Sequence, residues 1–324
     1  MKSWLAAELG SEVFEFTPAS SDAGFRRYFR VNFNQETRII MDAPPDKEDC
    51  RPFIAVAELH RAANIHVPEI YAADLKQGFL LLSDLGSTTY LQALTNENAD
   101  QLFRDAIDSL IRWQLASKPG VLPSYDDALL RRELALFPEW YIKRHLGIDL
   151  SETQQKVLEN TFNLIVQNNL AQPNVYVHRD FMPRNLMFSI PNPGVLDFQD
   201  AVYGPITYDV ASLFKDAFIS WEEEQVLDWT VRYWEKAKKA GLPVNLDFGA
   251  FYQDVEWMGL QRHLKVLGIF ARLNYRDGKS SYLKDTPRFI NYVRQTAARY
   301  DGLKPLLRLL DELENKAPQV GYTF

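Results

Sequence analysis

His178-Arg179-Asp180-Phe181-Met182-Pro183-Arg184-Asn185, with Asp197 following twelve residues after Asn185, is the stretch that decides how this chain reads. Three short strand-like runs surround it: Val175-Tyr176-Val177, Leu186-Met187-Phe188 and Gly194-Val195-Leu196. They turn the segment into strand, loop, strand, with Asp180 at a loop apex and Asp197 closing an apolar strand. A carboxylate at an apex can accept a proton from an attacking hydroxyl. An amide five residues on, Asn185, can turn back to hold a metal, and Asp197 is a hard oxygen ligand of the kind Mg²⁺ takes, with waters and phosphate oxygens completing the octahedron. A single loop aspartate is usually a solvated turn former. Three such groups in this order and context point instead to chemistry, with Asp180 as catalytic base and Asn185 and Asp197 as metal ligands. His178 reads as a structural residue that orients the loop by hydrogen bonds.

Upstream, the first 86 residues carry strand signals and one helix. Val13 to Phe16, Tyr28 to Phe33 and Thr37 to Met41 are β-branched or aromatic runs separated by turn residues, which predicts a three-strand meander. Pro52 to Ala63 suits one amphipathic helix, and strand character returns at Ile70 to Ala72 and Gly78 to Leu82. After Gly86 the texture becomes helical, with long apolar periodicities over Ala99 to Ser117, Gln154 to Leu170, Glu222 to Ala240 and Ala250 to Leu273, and a last one at Pro305 to Glu314. The H-R-D-x-x-x-x-N spacing is that of a kinase catalytic loop. The expected fold is therefore α+β and bilobal, protein-kinase-like. Residues 1–86 would form a small antiparallel nucleotide-binding lobe with one helix, and 87–324 a larger, mainly helical lobe with the catalytic loop and acceptor site.

Composition narrows the class further. The 324 residues are 46% hydrophobic and 24% charged, enough apolar side chain for a sizeable core. A net charge of -7 argues against a backbone-reading nucleic-acid binder, which needs a basic face. Cys50 is the single cysteine, so no disulfide or zinc spacing exists and a reducing cytoplasm is the expected compartment. Glu8 breaks the apolar start of the chain, and no run approaches the ~18 residues a membrane span needs. A soluble protein is expected, with a monomer favoured.

Beyond the loop, Leu196-Asp197-Phe198-Gln199-Asp200-Ala201 and Gly204-Pro205-Ile206-Thr207-Tyr208-Asp209-Val210-Ala211 depart from the D-F-G of protein kinases. They resemble the aminoglycoside phosphotransferase and choline kinase-like superfamily, which implies ATP and Mg²⁺ as cofactors and a small-molecule acceptor. The strings Ser21 to Arg30, Met41-Asp42-Ala43-Pro44-Pro45 and Gln261 to Phe270 resemble, more narrowly, the bacterial anomeric sugar kinases of cell-wall recycling. That likeness implies phosphorylation of N-acetylmuramate and N-acetylglucosamine at the C1 hydroxyl, giving sugar 1-phosphates for peptidoglycan recycling and UDP-N-acetylmuramate synthesis. The alternatives are a related kinase for an amino alcohol, an aminoglycoside or a homoserine-like acceptor, or a non-catalytic nucleotide-binding pseudokinase.

The nucleotide end departs from the kinase pattern. The first hairpin holds only Gly24, although backbone N–H groups from Ser21 to Gly24 can form a nest for phosphate oxygens. The third strand, Thr37 to Asp42, has no lysine where a kinase places its phosphate-binding cation. Arg30, which shares a strand face with Arg26 and Tyr28, is the preferred substitute. Glu58 is a candidate to orient it. Ser83-Asp84-Leu85 follows an apolar strand and, by position, is the hinge whose backbone meets the adenine edge. On the acceptor side Arg262 and His263 are the candidate cations for a lactyl carboxylate.

Overall fold

The computed structural model describes residues 1–21 and 25–314. They fall into two compact units, Met1–Lys118 with His178–Ala201, and Pro119–Val177 with Val202–Phe324.

The first unit opens with α1 (Lys2–Leu9), β1 (Glu15–Ser21), β2 (Arg27–Phe33), β3 (Glu36–Asp42), α2 (Cys50–Ala62), β4 (Ile70–Asp74) and β5 (Phe79–Ser83). The five strands form one antiparallel sheet in the order β1-β2-β3-β5-β4. Side-chain alternation gives this sheet two faces of different character. Val31, Ile40 and Leu81 join Leu5 of α1 in a buried aliphatic cluster. Burying each of these side chains stabilises the unit by about 1.5–3 kcal/mol. The opposite face carries Arg30, Ile39 and Leu82 side by side, because Arg30 pairs with Ile39 and Ile39 with Leu82.

β1 runs on through Thr17-Pro18-Ala19, past the predicted Val13 to Phe16. Proline lacks the N–H a central strand must donate, so the stretch does not read as strand. It is tolerated here because β1 is an edge, and its register slips between Pro18 and Ser20. In α2 the Asp49 carboxylate caps the Arg51 N–H at 2.9 Å, and Phe53, Val56, Ala57 and His60 make the buried stripe at helical spacing. Two more helices, α3 (Tyr90–Ala93) and α4 (Ala99–Leu115), follow in this unit. The short α3 starts in a capping box of Thr89 and Gln92.

The second unit holds α5 (Asp127–Leu134), a π-helical stretch Phe137–Leu146, α6 (Glu152–Ala171), α7 (Tyr208–Phe214), α8 (Glu223–Lys239), α9 (Phe248–Asp277), α10 (Thr286–Arg299) and α11 (Lys304–Leu313). The strand pair Asn174–Val177 and Val202–Pro205 is antiparallel. The second of these strands is invisible to pattern reading, since its Gly204-Pro205 pair looks like a turn.

Helix α9 is 30 residues long and buried on most of its circumference between Val255 and Leu273. Gly268 is required there, because a Cβ would stand 2.4 Å from the Leu136 carbonyl oxygen. At the centre of this unit sits a buried ionic cluster. Glu133 accepts from the Tyr125 hydroxyl, from Gln261 Nε2 at 3.0 Å and from Lys265 Nζ at 2.9 Å, and Lys265 also reaches the Tyr208 hydroxyl at 3.0 Å. Gln261 and Lys265 meet Glu133 together because i and i+4 share one helical face.

Candidate active site

The loop after Val177 is folded by its own polar groups. His178 is fully buried, and its Nδ1 accepts the Asp180 backbone N–H at 3.2 Å. That bond needs an unprotonated Nδ1, and burial lowers the His178 pKa to about 4 against the pull of Asp180, so the ring is neutral at physiological pH. Downstream, Met182 N donates to the Asp180 carbonyl at 3.0 Å and Asn185 N to the Met182 carbonyl at 2.8 Å. These turns carry the chain into the hairpin Leu186–Met187 with Gly194–Val195.

The hairpin returns Asp197 to Asn185. Leu196 N donates to the Asn185 carbonyl at 2.9 Å, and Asn185 Nδ2 stands 3.0 Å from the Asp180 carbonyl and 3.4 Å from Asp197 Oδ2. Asp180, Asn185 and Asp197 are thus brought together. Among the described residues, the Asp180 side-chain oxygens accept no hydrogen bond. Two non-glycine residues here take left-handed backbone, Arg179 at φ 76° and Asp197 at φ 62°. Such conformations cost of order 1–3 kcal/mol and concentrate where geometry serves function.

Sequence reading missed how this segment is anchored. Phe198, next to Asp197, is fully buried and packs on Phe53 and His60 of α2, with ring centroids 4.7 and 5.1 Å apart. His60 stacks on Trp113 of α4 at 3.8 Å and is held neutral by burial, its pKa pushed down to about 3. This aromatic column fixes the residue beside the candidate metal ligand. Gln199 was also unanticipated: its Nε2 donates to Asp197 Oδ1 at 2.8 Å and orients the carboxylate. No local pattern marks either role: the partners of Phe198 are distant in sequence, and the spacing of Gln199, two residues after Asp197, carries no signature of its own.

A cavity of about 320 Å³ lies against these groups. Asn185, Met187, Leu196 and Asp197 line one side, and Tyr28, Arg30, Ile39 and Leu82 of the sheet line another. Ser83, Asp84 and Leu85 also border it, as their sequence position predicts. Ser83 is pinned, exchanging hydrogen bonds with the Glu69 backbone through its own N–H and Oγ. The Asp84 carboxylate is occupied by Arg30 and the Gly86 N–H; burial would raise its pKa, but these bonds outweigh it and hold the group below the ordinary range. Leu85, by contrast, makes no backbone hydrogen bond to the described residues, leaving one donor and one acceptor at the cavity edge. A larger hollow of about 710 Å³ shares Ser83 to Leu85 but reaches none of Asp180, Asn185 and Asp197.

Arg30 is in the cavity wall, yet its guanidinium is engaged. It meets Asp84 at 2.6 and 3.0 Å and the Gly86 carbonyl at 2.8 Å. Glu58 faces solvent on α2. Gly24 lies outside the described residues, as does the nest expected around it, and Ser21 is described only as the last residue of β1. Arg262 and His263 are buried in α9. His263 stacks on Tyr292 at 4.8 Å and is neutral, its pKa driven well down by burial and by neighbouring Lys215 and Arg262. Arg262 acts on Asp216, whose pKa burial raises and Arg262 partly restores.

The donor set suits one kind of metal. No cluster of three His, Cys, Asp or Glu side chains suited to a metal occurs among the described residues. A carboxylate and a carboxamide side by side are instead the two protein oxygens that Mg²⁺ takes when phosphates and waters supply the rest.

The model of the phosphotransferase enzyme family matches residues 15–244, a span that includes the cavity wall, the loop and Asp197. The chain belongs to this family. This phosphotransferase is 54% identical over 298 residues to a Pseudomonas putida protein named N-acetylmuramate/N-acetylglucosamine kinase, covering 92% of this chain and 88% of that one. A Neisseria meningitidis protein of the same name is 49% identical over 330 residues, covering 100% and 98%. Among solved structures, a choline kinase from Streptococcus pneumoniae matches with a TM-score of 0.65 at 14% identity, over 92% of this phosphotransferase and 98% of that chain. At that identity the likeness speaks for fold alone, and it bears out the α+β, protein-kinase-like fold. Among the described residues, no helix is long and apolar enough to cross a membrane.

Proposed function

We propose that this phosphotransferase moves the γ-phosphoryl group of ATP to the anomeric C1 hydroxyl of N-acetylmuramate and N-acetylglucosamine. The observation that carries the acceptor assignment is the 49–54% identity, over nearly the whole chain, to relatives named for those two sugars. The reaction class rests on the grouping of Asp180, Asn185 and Asp197, the last two lining a cavity whose hinge residue Leu85 makes no backbone hydrogen bond to the described residues.

In this reading the adenine edge meets the Leu85 N–H and carbonyl, and the apolar walls are Ile39, Leu82 and Leu196. Asp180 receives the proton of the sugar hydroxyl as it attacks phosphorus in line, aided by a carboxylate that no neighbour occupies. Asn185 and Asp197 would hold Mg²⁺, which when bound neutralises charge on the phosphates. Gln199 keeps Asp197 turned toward that position. Catalysis is then mostly positioning and electrostatics. Neither cation of the expected acceptor pair is given that role here: His263 is neutral, and Arg262 is buried beside Asp216. A sugar 1-phosphate is the form a nucleotidyltransferase consumes, which fits a place in peptidoglycan recycling ahead of UDP-N-acetylmuramate.

The test is transfer from ATP to each sugar, with the product examined by phosphorus-coupled NMR. Coupling to the anomeric proton is expected. Coupling to the C6 protons would overturn the position of transfer, and absence of product from both sugars would overturn the acceptor class.

A further inference from the structure

The cation that contacts the transferred phosphates has no obvious owner in this chain. Strand β3 offers Thr37, Arg38, Ile39, Ile40, Met41 and Asp42, with no lysine. Arg38 lies over the Tyr71 ring at 4.3 Å and pairs with Glu36. Arg27 is tied to Asp42, and Arg30 is engaged by Asp84 and Gly86.

Arg26 differs from all of these. It precedes β2 by one residue, so alternation places it with Tyr28 and Arg30 on the face that lines the cavity. Its side chain is only 13% exposed. Its ion-pair partner is Glu48, whose Oε2 stands 4.0 Å from Arg26 Nε, a separation too long for a hydrogen bond. Among the described residues that buried Nε has no acceptor. Leaving a buried guanidinium donor unmet is costly, and a phosphate oxygen is the acceptor such a fork fits best. The surrounding field agrees: burial works to lower the Arg26 pKa, but Tyr28, Glu48, Asp197 and Asp200 together raise it. Two of those groups belong to the segment that carries the candidate metal ligand.

We propose that Arg26 is the residue that binds the β- and γ-phosphates of the nucleotide in this chain, with Glu48 as the positioning carboxylate that aims its guanidinium. The proposal rests on the kinase reading above and moves the triphosphate contact away from Arg30, which becomes a brace of the hinge. It also explains how β3 dispenses with a lysine: the charge would come from the residue just before β2, on the strand face whose Tyr28 and Arg30 line the cavity.

The experiment compares wild type with Arg26→Ala, Arg26→Lys, Arg30→Ala and Glu48→Gln. Steady-state kinetics are taken with ATP and N-acetylglucosamine, binding of ATP and of adenosine is measured by calorimetry, and thermal midpoints are recorded. Arg26→Ala should lower kcat/KM for ATP by about 10²–10³-fold and weaken ATP binding, while adenosine affinity and midpoint stay at wild-type values. Arg26→Lys, a point charge without the fork, should recover part of the loss. Glu48→Gln should reduce kcat by less, about tenfold, with adenosine binding intact.

Wild-type ATP kinetics in Arg26→Ala, or equal losses for ATP and adenosine, overturn the proposal. A triphosphate-selective loss in Arg30→Ala instead gives the role to Arg30. If Arg26→Ala loses its midpoint, Arg26→Gln, which keeps the aliphatic stem, is read by the same criteria. Wild type that transfers to neither sugar would sink the acceptor assignment only, since the contrast between ATP and adenosine binding still decides Arg26.

Discussion

Two clusters in this molecule, both built around carboxylates and carboxamides, satisfy their charges in opposite ways. In the second unit Glu133 is saturated by Tyr125, Gln261 and Lys265, and Lys265 is shared with Tyr208. In the first unit the Asp180 carboxylate accepts no hydrogen bond from the described residues, and Asp197, which lines a cavity, leans on the two amides of Gln199 and Asn185. Burial demands partners for a charge. Where a carboxylate is saturated by helical partners, the charge holds helices together; where carboxylates gather beside a cavity, a ligand is expected to complete the set.

The largest test of that contrast is Asp180→Asn. Geometry and fold should be kept and the base removed, so kcat should fall by about 10²–10⁴-fold with ATP affinity and thermal midpoint unchanged. A loss of midpoint comparable to the loss of rate would place Asp180 with the structural charges. The mirror experiment is Lys265→Met. It strands Glu133 in a buried site and should destabilise the second unit by about 3–5 kcal/mol in urea unfolding. Substituting both members, Glu133→Leu with Lys265→Met, should cost far less than the single change, because no uncompensated charge remains.

The same contrast explains what the amino-acid sequence disclosed. Asp180, Asn185 and Asp197 are legible because one loop and one hairpin bring them together, so their spacing along the chain is nearly their spacing in space. The β-β-β-α-β-β order was legible from alternation and turn residues. Pro18 hid half of β1, because only a known edge position makes proline acceptable in a strand. The engagement of Arg30 by Asp84 spans 54 residues and depends on where β2 ends up relative to β5. Phe198 looked like part of a motif, yet its anchoring depends on Phe53, His60 and Trp113, on two helices far upstream to which no readable pattern ties it. Burial of Arg262 and His263 was likewise hidden, since α9 is covered on faces that a solitary amphipathic helix would leave wet.

Acid sharpens the comparison next. His60 and His178 have pKa values pushed down to about 3 and about 4 by burial, against about 6.5 when unfolded. Below pH 6.5 the unfolded chain takes up protons that the native rings refuse, so stability falls as pH falls. Each ring contributes a slope of about 1.4 kcal/mol per pH unit, flattening only near its folded value. Urea unfolding between pH 7.5 and 5 should therefore show a steep loss, and His60→Phe should remove one ring's share of the slope. Because the Asp180 N–H is held by His178 Nδ1, which stays neutral in the folded chain down to about pH 4, the loop keeps its geometry over this range and activity should be lost only as the folded fraction is lost. A flat stability profile would mean that the rings titrate normally and that the loop is held some other way.

The smallest expected effect belongs to the pair that sits between the two categories. Arg30 and Asp84 satisfy each other as the second-unit charges do, yet both border the cavity, with side chains 26% and 6% exposed. If the pair braces the hinge, Arg30→Ala should free Asp84, loosen the Gly86 turn and weaken adenosine and ATP by the same factor, about tenfold, which corresponds to about 1.4 kcal/mol. Stability should change little, because the arginine is partly solvated and the buried Asp84 carboxylate keeps the Gly86 N–H and the Thr37 side chain as partners. Calorimetry with the two ligands separates the possibilities. Equal weakening assigns the pair to the hinge, and a loss confined to ATP would show that Arg30 reaches the phosphates, so that being engaged by a carboxylate is not enough to mark a charge as structural.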